Sequence, residues 1–143
     1  MTFVPDVRFM RGMNTTVSIE RDLNGGGLAS SQHAGYEPDY QPVAGMAWTQ
    51  VGGTWQPVSG IGTTPCRLIR KGGSARDQSG SPGAQRSWSG LFGTPVALDL
   101  TYRLAWADPD RPGKTIYLYV DADSNNAHGM MHHWNVSCVE FIA

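Results

Sequence analysis

Hydrophobic and polar residues alternate along most of this chain. In residues 15–21, Val17 and Ile19 point to one side, whereas Thr16, Ser18 and Glu20 point to the other. Successive side chains of a β-strand face opposite sides of a sheet, so this period of two is typical of a half-buried strand. No segment carries apolar residues at the spacing of three to four that an amphipathic helix requires. The pattern predicts an all-β fold with little helix.

The same alternation predicts further short strands along the chain. Gly52 and Gly53 separate two of them and suit a two-residue hairpin turn. The predicted strands cover residues 47–51, 54–58, 64–70, 84–92, 99–107, 115–121 and 133–141. In residues 99–107, one face carries Leu100, Tyr102, Leu104 and Trp106. Short strands at these intervals favour a small antiparallel β-barrel or sandwich.

Glycine- and proline-rich segments connect the predicted strands. Residues 22–45 are polar and contain Pro38 and Pro42, which predicts a long surface loop. Residues 71–83 read KGGSARDQSGSPG and predict a second long loop that is mobile. Residues 1–14 precede the first strand as an amino-terminal arm. With 143 residues, the chain is expected to form a single β domain over residues 1–143.

Composition and charge exclude several classes of protein. The 18 glycines and 9 prolines are too many for a helical bundle, and the net charge of −1 excludes a wholly basic surface. No run of eighteen apolar residues is present, so no membrane span is predicted. The amino terminus lacks the apolar core of a secretory signal. We therefore expect Cys66 and Cys138 to be reduced, buried small hydrophobic residues rather than a disulfide.

Neither a nucleophile motif nor a phosphate-binding loop occurs in the sequence. Paired carboxylates occur at Asp108 and Asp110 and at Asp121 and Asp123. Both pairs lie in turn sequences, where a carboxylate typically accepts backbone hydrogen bonds, so we favour that role over a catalytic pair. We expect no enzymatic activity and no cofactor.

Three histidines cluster before the last predicted strand, at positions 128, 132 and 133. His132 and His133 would point to opposite faces of that strand, which argues against their binding one metal ion. Asp121, Asp123 and Asn125 resemble the start of a calcium loop, but the glycine and the closing glutamate of such a loop are missing. We favour a packed turn over a metal site.

The charge distribution has one concentrated feature, within residues 67–86. Five basic residues oppose the single acidic Asp77, namely Arg67, Arg70, Lys71, Arg76 and Arg86. Such a segment is either a solubilising loop or a basic finger that contacts phosphate groups through charge. The candidate contact residues are Arg70, Lys71 and Arg76.

Three stretches of the chain resemble a known family. Residues 117–140, YLYVDADSNNAHGMMHHWNVSCVE, combine a strand, an Asn/Asp/Gly turn and a His-His-apolar strand that closes on an acidic residue. Residues 16–21 resemble that family's first strand, and residues 55–68, with their Pro-Cys-Arg step, resemble its second and third. The family comprises the neck proteins of tailed bacteriophages, known as head-closure, stopper or head–tail connector proteins. The long segments 22–45 and 71–83 depart from its pattern.

The resemblance implies a structural function in the virion, after assembly in the host cytoplasm. Copies of the chain would form a cyclic ring that joins the portal or adaptor ring to the tail terminator or other tail proteins. Arg70, Lys71 and Arg76 would face the lumen or an adjacent ring and contact packaged DNA non-specifically. Residues 22–45 and the amino-terminal arm would contact adjacent rings. No membrane contact and no cofactor are implied.

A secreted carbohydrate-binding β-sandwich is the alternative. Exposed tryptophans commonly stack on sugar rings, and this chain offers Trp48, Trp55, Trp88 and Trp106. The alternation places Trp106 on the same face as Leu104, which favours a core or interface position for that side chain.

Overall fold

The computed structural model of the protein describes residues 13, 15–27, 35–71, 85–94, 96–126 and 134–141. Within these residues the secondary structure is almost wholly β, and every strand pairing is antiparallel. The strands are β1 (Thr15–Asp22), β2 (Tyr40–Pro42), β3 (Ala47–Val51), β4 (Thr54–Val58), β5 (Thr64–Arg70), β6 (Gln85–Phe92), β7 (Tyr102–Ala107), β8 (Thr115–Val120), β9 (Asn125–Asn126) and β10 (Trp134–Phe141).

Six of these strands form a closed antiparallel barrel. Its order is β1, β5, β6, β10, β8 and β7, and β7 pairs with β1 to complete the circle. β1 makes closure possible because its first half pairs with β5 and its second half pairs with β7. Closure removes the unpaired strand edges that an open sheet would expose. The predicted all-β fold is therefore confirmed, and of the two architectures expected, a small barrel or a sandwich, the structure is the barrel.

The barrel interior is a packed hydrophobic core. Leu104 of β7 and Leu118 of β8 are cross-strand partners, and both are fully buried. A barrel of six strands is too narrow to leave an open bore once its inward side chains are in place. The buried cluster consists of Val17, Ile19, Cys66, Phe92, Val96, Leu98, Leu104, Leu118, Val120, Val136 and Cys138.

Both cysteines belong to this core, as the sequence predicted. Cys66 and Cys138 are buried and carry no disulfide bond. Burial raises the pKa of Cys66 to about 12. The pKa of Cys138 is also raised, by burial and by the nearby charge of Asp121. Both thiols are therefore protonated and unreactive at neutral pH.

Three short additions surround the barrel. β2 pairs with the end of β1, and β9 pairs with the start of β10. β3 and β4 form a separate two-stranded sheet. Gly52 and Gly53 connect them with φ values of 58° and 82°, the left-handed conformations that a tight hairpin turn of type I′ needs. No helix in the described part of the chain is long and apolar enough to cross a membrane.

Most predicted strands agree with the structure to within one residue, but the range 99–107 is wrong at its start. β7 begins at Tyr102, because Asp99 instead caps a turn. Its carboxylate accepts hydrogen bonds from the backbone N–H and the hydroxyl of Thr101, at 2.8 and 2.5 Å. Leu100 therefore lies in the turn and is 39% exposed, rather than on the inward face.

The predicted surface loop 22–45 also needs correction. Asp22 belongs to β1, and residues 40–42 form β2, so both parts of this range belong to the sheet. Residues 28–34 lie outside the described residues. Of the predicted arm and the second long loop, the structure describes only Met13, which is buried, and Lys71, which is exposed.

Candidate functional site

Three residues of the predicted basic segment lie at one end of the barrel. Arg70 is the last residue of β5 and Lys71 follows it, and both are exposed. Arg86 lies near the start of β6, at the same end, because Arg70 is the cross-strand partner of Trp88. The structure thus brings Arg70, Lys71 and Arg86 together. Arg76 lies outside the described residues.

Lys71 is held against the outer wall of the barrel at both its backbone and its side chain. Its backbone N–H donates to the carbonyl oxygen of Ser87 at 2.9 Å. Its ammonium group donates to the Ser137 hydroxyl at 2.9 Å. An ammonium group has three hydrogens to donate, and the Ser137 hydroxyl accepts one of them. Because Lys71 is exposed, its other N–H groups can still contact an anion.

Arg86 is enclosed more than Arg70 and Lys71. It faces Glu140 across the β6–β10 pairing, yet the guanidinium and the carboxylate form no ion pair within 4.0 Å. Its Nε is buried and has no hydrogen-bond partner among the described residues. The Glu140 carboxylate instead accepts a hydrogen bond from Trp88 Nε1 at 3.0 Å.

Aromatic side chains fill the same end of the barrel, next to these basic residues. The rings of Trp88 and Trp106 pack edge to face, with centroids 5.6 Å apart. Both are half-buried and contact the hydrophobic core. Trp106 thus packs against the core, one of the two positions, core or interface, that the alternation favours. This end of the barrel therefore presents basic groups around packed aromatic rings, a surface that can bind anions.

A second polar cluster lies on the outer wall, and the sequence analysis did not find it. The guanidinium of Arg103 in β7 lies 4.2 Å from the ring centroid of Tyr40 and 3.9 Å from that of Tyr117. Arg103 Nε donates to Glu20 Oε1 at 2.6 Å. Partial burial opposes the charged form, but the hydrogen bonds to Glu20 and Tyr119 raise the pKa of Arg103.

We call Arg103, Glu20, Tyr40, Tyr117 and Tyr119 the Arg103 clasp, because their contacts link β2 to the barrel. Tyr40 belongs to β2, and its ring also packs edge to face on Tyr119 of β8 at 5.7 Å. Cation–π contacts of a partly desolvated arginine stabilise by about 1–2 kcal/mol. Tyr117 and Tyr119 alternate with buried Leu118 and so lie on the outer wall, and the register of β7 with β8 sets Arg103 opposite Tyr119.

Asp22 anchors the segment that follows β1. Its carboxylate accepts hydrogen bonds from the backbone N–H groups of Asn24, Gly27 and Asp39 at 2.9–3.0 Å, and from the Tyr36 hydroxyl at 2.5 Å. Burial opposes ionisation, but these four donors lower the pKa of Asp22 to about 2. Its contacts are structural, since every donor is a group of the same loop.

Gly27 fits this loop tightly against the turn before β7. It has a φ of 59°, and a Cβ at this position would lie 2.0 Å from the carbonyl oxygen of Leu100. Any other residue would therefore clash with backbone. The two loops pack together, and Asp22 N–H also donates to Thr101 O at 2.8 Å.

The turn carboxylates are only partly as predicted. Asp108 accepts a hydrogen bond from the backbone N–H of Asp110 at 2.9 Å and another from Arg111 Nε at 2.8 Å, which confirms a turn role for Asp108. Asp121 does not follow this pattern, because its Oδ1 is buried with no hydrogen-bond partner in the described chain.

The predicted histidine cluster cannot be placed, since His128, His132 and His133 lie outside the described residues. Among the residues that the structure describes, no group of three or more histidine, cysteine or carboxylate side chains could hold a metal ion.

Comparison of the chain with protein-family models, with curated proteins and with solved structures found no significant match.

Proposed function

We propose that this protein is a structural ring subunit in the neck of a tailed bacteriophage, of the head-closure or stopper type. Copies form a cyclic ring between the portal or adaptor ring and the tail proteins, and help to close the DNA channel. The protein then resides in the virion and acts through its outer surfaces. The family resemblance of three stretches of sequence motivates this proposal.

The basic barrel end is the observation that carries it. Arg70 and Lys71 are exposed side by side where β5 ends, and the segment that follows contains Arg76. Lysine and arginine bind the phosphates of duplex DNA through charge, without reading its sequence. This is the interaction that retention of packaged DNA requires.

The packed interior of the barrel limits where DNA can pass. A six-stranded barrel filled by Leu104, Leu118 and their neighbours has no room for a duplex. The channel must therefore lie between copies, lined by the outer ends of several barrels. A ring with Arg70 and Lys71 towards its axis provides such a lining.

Charge reversal tests the proposal. In the double variant Arg70→Glu/Lys71→Glu, we expect a folded protein whose assembled particles lose their DNA, measured as nuclease-protected DNA per particle. Binding of the full chain to duplex DNA should also depend less on salt. Each lost phosphate contact reduces the slope of log K against log salt by about 0.9.

The matched control is Arg21→Glu/Lys114→Glu, which changes the net charge equally at exposed positions on other elements. We expect this control to retain DNA. Normal DNA retention by the Arg70→Glu/Lys71→Glu particles would refute the proposal. Equal losses in both variants would mean that net charge, rather than the barrel end, is responsible.

A carbohydrate-binding module is the alternative function, and one observation favours it. The pairing of β3 with β4 places Trp48 and Trp55 on one face of the hairpin, where sugar rings could stack. Trp88 and Trp106 are less suited because they pack on each other. Glycan-array binding that is lost in Trp48→Ala/Trp55→Ala, without ring formation, would support this alternative over the neck protein.

A further inference from the structure

The guanidinium of Arg86 is enclosed by the protein and yet has no partner in the part of the chain that the structure describes. The residue is half-buried, and its Nε lies out of reach of solvent without an acceptor. No described residue forms an ion pair or an aromatic ring contact with it. Arginine is rarely enclosed in this way unless an opposite charge or an acceptor accompanies it.

Other arginines of the same fold show what is missing at Arg86. The side chain of Arg103 is 16% exposed, and its Nε donates to Glu20 Oε1 at 2.6 Å. Arg111 is far more exposed, and its Nε still donates to Asp108 Oδ2 at 2.8 Å. Enclosure weakens the screening of a charge by water, so Arg86 attracts an anion more strongly than a fully exposed arginine does.

The acidic residue closest to Arg86 in the sheet is directed elsewhere. Glu140 is the cross-strand partner of Arg86, but its carboxylate accepts a hydrogen bond from Trp88 Nε1 at 3.0 Å. Trp88 is itself fixed, since its ring packs edge to face on that of Trp106 with centroids 5.6 Å apart. The structure therefore keeps the nearest counter-charge bonded to an indole instead of to the guanidinium.

A second arginine shares the face that carries Arg86. Arg70 of β5 is the cross-strand partner of Trp88, and Arg86 precedes Trp88 by two residues on β6. Residues two apart on a strand share a face, so Arg70 and Arg86 are diagonal neighbours, with Cβ atoms roughly 7–8 Å apart. Both long side chains can reach a group between them. Two positive charges at this spacing repel each other, and an anion between them would stabilise both.

We propose that Arg86 and Arg70 together bind one phosphate group at the barrel mouth, which we define as Arg70, Arg86, Trp88 and Glu140. The two guanidinium groups and the one carboxylate sum to a charge of about +1, which matches the single negative charge of a phosphodiester. A guanidinium donates two parallel N–H groups, which fit the oxygens of a phosphate. Because Nε of Arg86 is enclosed, the phosphate contacts its terminal nitrogens.

This inference rests on the proposed function and deepens it, because in the ring the phosphate belongs to the backbone of packaged DNA. Lys71 differs from the barrel mouth in its position, since its ammonium group donates to Ser137 on the outer wall. Ser137 alternates there with the buried Val136 and Cys138. Lys71 thus attracts DNA through charge, whereas Arg86 provides a site that one phosphate saturates.

Titration of the full chain with inorganic phosphate at low ionic strength tests the site. The Arg86 Nε–H is shielded from solvent, so its exchange is slow enough for detection by NMR. We expect the resonances of Arg86 Nε–H and Trp88 Nε1–H to shift saturably, with one phosphate bound per chain. The same titration with a short DNA duplex should shift both resonances if the backbone supplies the phosphate.

A substitution that keeps the charge separates a geometrically defined site from general attraction. Arg86→Lys retains the positive charge but loses the planar group, so we expect the dissociation constant for phosphate to rise at least about tenfold, followed at Trp88 Nε1–H. The matched control is Arg67→Lys, because Arg67 is exposed on the opposite face of β5 and should leave phosphate binding unchanged. Circular dichroism checks that both variants fold.

Glu140→Gln tests the same site in the opposite direction. Glutamine keeps a carbonyl oxygen that can accept the hydrogen bond of Trp88 Nε1, but it removes the negative charge beside the phosphate. We expect Glu140→Gln to bind phosphate severalfold more tightly than the wild-type chain. Unchanged or weaker binding in this variant would contradict a phosphate at the barrel mouth.

Two further outcomes would overturn the inference: no saturable shift of the Arg86 Nε–H resonance, or equal weakening by Arg86→Lys and Arg67→Lys. Shifts with inorganic phosphate but not with the duplex would refute DNA as the source of the phosphate. Failure of the Arg86 site leaves the proposed function intact, because Arg70 and Lys71 can retain DNA through charge alone. Conversely, DNA retention by Arg70→Glu/Lys71→Glu particles would refute that function even if the wild-type chain binds inorganic phosphate at Arg86.

Discussion

The barrel and the β3–β4 hairpin are both antiparallel and both follow the same alternating pattern, yet they bury their apolar residues very differently. Leu104 and Leu118 of the barrel are 0% exposed, whereas Val51 of the hairpin is 54% exposed. A closed barrel supplies its own second layer, since strands on opposite sides pack against each other. An isolated two-stranded hairpin has no second layer and is marginally stable alone. The buried core of the barrel therefore accounts for most of the stability of the fold, whereas the hairpin mainly adds exposed surface.

The largest expected effect comes from truncating the barrel core. Leu118→Ala removes a fully buried side chain and leaves a cavity, so we expect the free energy of unfolding to fall by about 2–5 kcal/mol. The control Val51→Ala should change it by less than about 0.5 kcal/mol. Urea unfolding of both variants measures the difference. Similar losses of unfolding free energy in Leu118→Ala and Val51→Ala would contradict the conclusion that buried barrel residues contribute more to stability than exposed hairpin residues.

A smaller effect is expected at the loop that Asp22 anchors. Asp22→Asn removes the carboxylate that four donors share, and should lower the free energy of unfolding by about 1–3 kcal/mol. The pKa of Asp22 is lowered from the usual 3.8 to about 2, so its ionised form stabilises the fold fully above about pH 4. That contribution is lost as the pH falls towards 2.

Unfolding measured between pH 7 and pH 2 checks this. The free energy of unfolding of the wild-type chain should exceed that of Asp22→Asn at neutral pH, and this difference should shrink as the pH falls below about 4. A difference between the two that is constant over the whole range would contradict the role of the ionised carboxylate.

The smallest effect is expected at the Arg103 clasp. Arg103→Lys keeps the charge but loses the planar group that lies between Tyr40 and Tyr117, so we expect a loss of about 1 kcal/mol. Amide exchange in β2 should also become faster, since Tyr40 would lose its cation–π contact with Arg103. Arg21→Lys is the control, because Arg21 is exposed and lies farther from its ring, at 5.6 Å from Tyr102. Unchanged exchange in β2 would show that the clasp does not hold that strand.

Strand positions were largely predictable, and their exceptions have local causes. Residues 47–51, 54–58 and 64–70 coincide with β3, β4 and β5, because each alternates and is bounded by glycine, proline or threonine-rich turns. The predicted strand 99–107 starts too early and so places Leu100 on the inward face. Asp99 instead accepts a hydrogen bond from Thr101, and this turn delays the start of β7 to Tyr102. β2 was missed because a strand of three residues has too short a pattern to detect.

The candidate site was only half predictable. Arg70 and Lys71 could be selected from their local charge density. Arg86 joins them through the register of β5 with β6, and Arg103 meets Glu20 across 83 positions of sequence. No spacing rule within one segment relates residues so far apart.

The amino-acid sequence alone determined which residues form strands, which faces are apolar, where the chain turns and which segments carry or lack charge. These properties depend on neighbours a few positions apart, through backbone preference and side-chain alternation. Only the tertiary structure decided that β1 pairs on both sides and closes a barrel, that Arg103 contacts the rings of Tyr40 and Tyr117, and that Val51 and Val58 stay exposed. Those outcomes depend on strand order and register, which are set by packing between residues that are distant along the chain.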